Sequence, residues 1–398
     1  MNFVRRKLKN GMIIIMEKRE LPIVVVGVAN RFGAICESEK IKGVAHVLEH
    51  LLFTGTKTRT SEEISREIEK KGGMLNAFTS NEMTCFWFKL PSEHVFSGLD
   101  ILSDMLINPK FDKEKFEKEK KVILEEIKMY HDDPARHVFD KIESNLYEKP
   151  FGGNVIGNKK SVSGLERDFT VSFFEENYNP KNYIISVVGN ADFDKICNYF
   201  ENKFKAGRGK PKPIIPVKQN KETMEEREGL DQAHFVFGAH APLMNDEDYY
   251  ALELLDAYLT YGMSSKLFME IREKRGLAYA VKGIIQAEKS YSYYCIYVGT
   301  RKDAIDEVKR IILEEIGKVK DLKEKNLNEA KETLIGLRKI TKEESSNVMN
   351  SLLSEELADK AENYYQHEKN IKKVKLSQVK RVAENMLKKY SISAIVPK

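Results

Sequence analysis

The chain has 398 residues, 41% apolar and 32% charged, with 66 basic against 61 acidic side chains and a formal net charge of +5. That length exceeds one ordinary core and predicts two or more domains, and the composition suits a globular protein with a heavily charged surface. The charge excess is too small and too spread out for nucleic acid to be the main partner.

Cys36, Cys85, Cys197 and Cys295 are far apart and form no CxxC pair. Neither a disulfide framework nor a cysteine zinc site is expected from them. The N-terminal stretch "MNFVRRKLKNGMIIIMEKRELP" has no small-residue cleavage site. No apolar run reaches the ~18 residues of a membrane span. These features predict a cytoplasmic protein with no membrane partner.

In chain order, "PIVVVGVANRF" (22–32) is β-branched and apolar and predicts a buried strand. Helices are expected over about 42–54 and 61–71, the second opened by "TSEE" and ended by "KKGGM". "LNAFTSNEMTCFWFKLP" (75–91) predicts two strands or one bent strand. Helices follow at about 92–107, 112–130, 134–147 and 161–177, then a strand over 182–190 and a helix to about 205. "AGRGKPKPIIPVKQNKE", rich in Gly, Pro and Lys, is a linker. It divides the chain into halves at 1–206 and 222–398, with 207–221 between them.

The second half repeats the order of the first. A strand over 234–242 precedes helices at about 246–260 and 264–275. "LAYAVKGII" and "YSYYCIYVGT" predict paired strands, long helices fill about 302–388, and "SISAIVP" closes as a strand. "REIEKKGGMLNAF" (66–78) aligns with "MEIREKRGLAYAV" (269–281). The fold class expected is α+β: two homologous α/β-sandwich halves, each a mostly antiparallel sheet with helices packed on one side.

Chemistry concentrates in "GVAHVLEHLLFTGT" (43–56), where His46, Glu49 and His50 interrupt an apolar segment. Positions i and i+4 share a helix face, so His46 and His50 can reach one metal ion together. Zinc accepts imidazole nitrogen at ~2.0–2.1 Å. Glu49 stands beside that face, within reach of a water that the metal activates. The plainer alternative is a pair of hydrogen-bonded core histidines, but each buried polar group left unpaired costs about 1–3 kcal/mol. The remaining histidines (His94, His131, His137, His234, His240 and His367) show no ligand spacing. The chain contains no Walker loop, dinucleotide fingerprint or nucleophile elbow.

The order His-x-x-Glu-His inverts the common zinc-protease motif. Here the chain resembles, over its full length, the M16 metallopeptidases (pitrilysin, insulin-degrading enzyme and mitochondrial processing peptidase), and most of all their short subfamily. The resemblance implies His46 and His50 as zinc ligands and Glu49 as the general base. It implies a third ligand on a later helix, at a spacing that falls on Glu126 in "EKEKKVILEEIKMYHDDP", with Glu125 as a rival. Glu119, seven residues earlier, matches the family's supporting acid and lies nearly on the same helix face as Glu126, whereas Glu125 points ~100° away.

"NAFTS" resembles the family's substrate-binding edge strand, which implicates Asn76, Ala77 and Phe78 in main-chain pairing with a peptide. "IREKRGLAY" resembles its Arg–Tyr pair, matching Arg272 and Tyr279, with Arg275 as a rival. Both can donate hydrogen bonds to a substrate carbonyl. The resemblance therefore implies a zinc endopeptidase with one Zn2+ per chain. It would cleave peptides or unfolded segments and work as a homodimer. The alternatives are a non-catalytic peptide-binding subunit or one half of a heterodimeric peptidase.

Overall fold

A computed structural model describes residues 2–207 and 209–398. Two compact units emerge, and neither is continuous in sequence. The first comprises Met1–Lys128, Asn154–Ile214 and Thr341–Tyr364; the second comprises Met129–Gly153, Ile215–Ile340 and Tyr365–Lys398. The linker-based division assigns 129–153 to the first half and 341–364 to the second. In the structure each of these segments belongs to the other unit.

The first unit holds β1 (Phe3–Lys7), β2 (Ile13–Lys18), β3 (Ile23–Asn30), β4 (Met74–Thr79), β5 (Thr84–Pro91) and β6 (Tyr183–Gly189) in the order β1-β2-β6-β3-β5-β4. Only β2 and β6 run parallel; the other neighbours are antiparallel. Val24, Val26, Val28, Phe86, Phe88, Ile185 and Val187 pack on one face against Val47, Leu48, Leu51, Leu99, Leu102, Phe116 and Ile123 of the helices.

The opposite face is covered as well. Val25, Ala29, Cys85, Ile184 and Val188 are fully buried there, as the unbroken apolar run of β3 requires of a strand covered on both sides. Their cover is the Ser345–Ala358 helix, which packs across β6 and β3. A side chain at Gly27 would begin 2.6 Å from Met349 Sδ and 3.3 Å from Cys85 Sγ, so the missing side chain seats the helix. Arg5 fixes the helix end through two bonds to the buried Glu356, at 2.8 and 2.6 Å.

The second unit holds β7 (Glu222–Arg227), β8 (Ala233–His240), β9 (Ala278–Ala287), β10 (Ser292–Thr300) and β11 (Ser391–Pro397) in the order β7-β11-β8-β10-β9. The β7–β11 pair is parallel and the rest antiparallel. Phe235, Phe237, Ile296, Leu252, Leu255, Ile311 and Val382 lie in its core. Its other face carries the Pro134–Leu146 helix, seated over Gly238, where a Cβ would meet Ile142 Cγ1 at 2.6 Å. Both sheets thus have the expected helical layer on one face and one added helix, from far away in sequence, on the other.

Three strands, β1, β2 and β7, have no counterpart among the expected elements. The expected helix over 161–177 is two, Lys159–Ser163 and Arg167–Asn177. That over 264–275 becomes a π-helical turn at Phe268–Glu273.

Gly27→Val is expected to destabilise the protein by about 2–3 kcal/mol, as overpacking a filled seat does. Met349→Ala in the same chain should recover part of the loss. A denaturation midpoint unchanged by Gly27→Val would mean that the helix is not seated as described.

Candidate metal centre and active site

The Val44–Leu52 helix is short, and its start is fixed from outside. Gly43 has φ 96°, and a Cβ there would lie 2.6 Å from Ile156 O, so a glycine is required. No side chain from the helix's own N-cap closes the first turn. Instead the fully buried Glu37 accepts from Gly43 N at 2.9 Å and from Ala45 N at 2.8 Å. Burial pushes the Glu37 carboxyl up to about 7, against the pull of Lys42 and the two backbone donors. A carboxylate at a helix N-terminus is favoured by the helix dipole. This cap closes the first turn of the helix from outside. Val44, Val47, Leu48, Leu51 and Leu52 enter the core, and His46, Glu49 and His50 form the remaining stripe.

The Lys113–Asp132 helix faces this stripe. Phe116 and Ile123 are its buried anchors. Glu119 and Glu126 follow each anchor by three residues, so apolar and acidic positions share one face. Glu126 Oε2 lies 3.7 Å from His46 Nε2 and 3.5 Å from His50 Nε2. Glu119 Oε2 lies 3.2 Å from His50 Nδ1. The imidazole centroids are 4.7 Å apart at 68°. Glu125 points elsewhere and pairs with Lys128 at 2.7 Å.

One donor atom each from His46, His50 and Glu126 lies within 4.8 Å of the others. Donors around a tetrahedral zinc stand roughly 3.3–3.4 Å apart, and the two His–Glu126 separations are within a few tenths of an ångström of that spacing. The electrostatics agree. Burial, with the His50 charge beside it, pushes His46 down to about 4. Burial lowers His50 too, but Glu119 and Glu126 outweigh it and raise the ring to about 9. A proton on His50 therefore sits among the groups that would hold a cation. His46 Nδ1 is buried with no hydrogen-bond partner.

Glu49 is outside this trio. Thr79 Oγ1, at the end of β4, donates to Glu49 Oε2 at 2.5 Å. Burial raises the Glu49 carboxyl above its ordinary value, and the Thr79 bond opposes the rise. A cleft of about 380 Å3 opens beside Glu49 and His50, lined also by Phe53, Asn76, Lys118 and Glu119. Asn76, Ala77 and Phe78 lie on β4, which ends the sheet and pairs on one side only, with β5. Thr79 and Glu37 hold the candidate residues and their helix in place and are not among the residues that the sequence singles out. Thr79 lies inside the quoted "NAFTS", but only the fold brings it to Glu49.

Arg272 and Tyr279 belong to the second unit. The guanidinium of Arg272 stacks over the Phe268 and Tyr279 rings, at 4.8 and 5.1 Å, and donates to Tyr279 O at 3.3 Å. Arg275 is committed to Glu270, at 2.6 Å. Tyr279 is 78% exposed. No helix of the described residues is long and apolar enough to cross a membrane.

The family profile described as "Insulinase (Peptidase family M16)" matches residues 13–159, and that of the "Peptidase M16 inactive domain" matches residues 165–334. A Rickettsia felis protein described as an uncharacterized zinc protease is 33% identical over 322 residues, 80% of this chain and 78% of its own. The uncharacterized zinc protease YmxG of Bacillus subtilis (strain 168) is 32% identical over 351 residues, 86% of this chain and 85% of its own. The crystal structure of a protease from Helicobacter pylori has the same fold, with a TM-score of 0.92 over 99% of each chain at 21% identity. Profile matches in both halves and relatives similar over most of their length lead to one assignment: the chain belongs to peptidase family M16.

Proposed function

We propose that the protein is a zinc-dependent endopeptidase acting on peptides or unfolded polypeptide segments. The observation that carries this reading is the convergence of His46, His50 and Glu126 on one point, with a desolvated Glu49 beside them. These three side chains would hold the zinc, and Glu119 would orient His50 through its Nδ1. When bound, zinc supplies Lewis acidity, polarising the scissile carbonyl and acidifying water.

Glu49 accepts the proton of the attacking water and delivers it to the leaving amine. Thr79 holds one Glu49 oxygen, which leaves the other to turn toward the reacting atoms. The free edge of β4 at Asn76–Phe78 pairs with the extended substrate through main-chain hydrogen bonds, which tolerates many sequences. The test is metal analysis together with hydrolysis of an unstructured peptide. Tightly held zinc and chelator-sensitive cleavage are expected. A pure, zinc-loaded chain that cleaves no peptide in a mixed library would favour a peptide-binding subunit instead.

We also propose a homodimer in which the exposed Arg272–Tyr279 pair of one copy serves the metal site of the other, donating hydrogen bonds to the substrate carbonyl. Glu49→Gln chains and Arg272→Ala/Tyr279→Phe chains, each inactive alone, are expected to regain up to about a quarter of wild-type activity when mixed. Random exchange makes half of the dimers mixed, each with one intact site. No recovery after demonstrated subunit exchange would exclude the arrangement.

A further inference from the structure

We propose that the second unit carries a divalent transition-metal site of its own, formed by His131, His137 and Glu225. His131 lies in the last turn of the Lys113–Asp132 helix, His137 in the Pro134–Leu146 helix, and Glu225 on β7. A single residue, Asp133, separates the two helices. Asp133 caps the second by accepting from Ala135 N at 3.0 Å and Arg136 N at 3.2 Å, and Pro134 occupies its first position. The two imidazole centroids lie 4.7 Å apart at 53°, the same separation as His46 and His50. Their spacing of six lies on no single helix face, so no sequence pattern advertises it.

His137 Nε2 lies 3.8 Å from Glu225 Oε2, and one donor atom from each of the three residues lies within 4.8 Å of the others. The outer nitrogens are also provided for. His131 Nδ1 is 3.4 Å from Asp132 Oδ1, and His137 Nδ1 is 3.8 Å from Asp140 Oδ2. Carboxylates placed behind the ring orient metal-binding histidines. Two imidazoles and one carboxylate suit Zn2+, Ni2+ or Cu2+ rather than Mg2+ or Ca2+.

Two cations already touch the carboxylate. Lys141 Nζ lies 2.6 Å from Glu225 Oε2, and Arg227 Nε lies 2.6 Å from Oε1. Burial works against the charged form, but together the two cations hold the Glu225 carboxyl down at about 2. Arg227 also donates to His131 O at 2.5 Å, with its Nη2 3.4 Å from His131 Nε2. Lys141 is on the oxygen that faces His137, and its flexible ammonium would swing away as an ion arrives. This competition makes the site weaker than the buried one, and Lys141 the residue that sets its affinity.

The test is a zinc titration of the full chain against a chromophoric chelator. Wild type is expected to take two Zn2+ with separated affinities. His131→Asn/His137→Asn should retain only the tighter ion, and His46→Ala/His50→Ala only the weaker. Lys141→Met should tighten the weaker ion about tenfold, a gain that non-specific surface binding does not give. Saturation of wild type at one Zn2+, or a second ion indifferent to the His131/His137 changes, overturns the proposal. Neither result touches the reading of His46, His50 and Glu126, which stands or falls on the tighter ion.

Discussion

Glu49→Gln is expected to leave tight zinc binding intact and lower the turnover of an unstructured peptide by roughly 10²–10⁴-fold, the range of a lost general base. Glutamine has the same shape and can still accept the Thr79 hydrogen bond through its amide oxygen. It cannot take up a proton. Glu49 is not among the three residues whose donor atoms converge, so the substitution does not dismantle the set. It also removes a charge that burial penalises, so the melting temperature should not fall. Turnover within tenfold of wild type, in a variant with its full zinc, would assign the proton transfer to another group.

The acidic residues of the Lys113–Asp132 helix should separate by their effect on zinc affinity. Glu126→Gln is expected to weaken binding by more than about a hundredfold, because an anionic ligand oxygen is lost, whereas outer partners typically account for 10–100-fold. Glu119→Gln should fall in that outer range, since Glu119 reaches only the far nitrogen of His50, at 3.2 Å. Glu125→Gln should change little, because its side chain is 71% exposed and pairs with Lys128. A competition titration that ranks Glu125 above Glu126 would contradict the arrangement.

What the sequence disclosed follows the range of the interactions. His46, Glu49 and His50 are legible because four residues make one helical turn and the apolar stripe beside them is continuous. Glu126 rests on the resemblance rather than on periodicity; in the structure it repeats the place of Glu119 relative to the buried anchors Phe116 and Ile123. The Thr79–Glu49 bond and the Glu37 cap depend on how strand and loop fold back onto the helix, which no periodicity reports. β1 and β2 carried a usable signal, the Asn10–Gly11 turn with Gly11 at φ 96°. β7 carried none, because "ETMEER" is a mostly exposed edge strand with no apolar alternation.

The two added helices have a consequence for synthesis and for dissection of the chain. The backbone passes from one unit to the other after residues 128, 153, 214, 340 and 364. As the chain emerges from the ribosome, all six strands of the first sheet are available by Gly189, yet the helix that covers its second face ends only at Ala358. Through that interval Val25, Ala29, Ile184 and Val188 lack the cover they have in the finished fold, and exposed apolar surface of this kind promotes aggregation. The same bookkeeping of faces governs any attempt to divide the protein at its Gly/Pro-rich linker. A fragment ending at 206 lacks the cover of its own sheet and instead carries the Pro134–Leu146 helix that belongs to the other. The reverse holds for a fragment beginning at 222. The linker is therefore a convenient place to cut, but not a boundary between parts that can fold alone. The two fragments should become soluble only when each is present to return the other's helix.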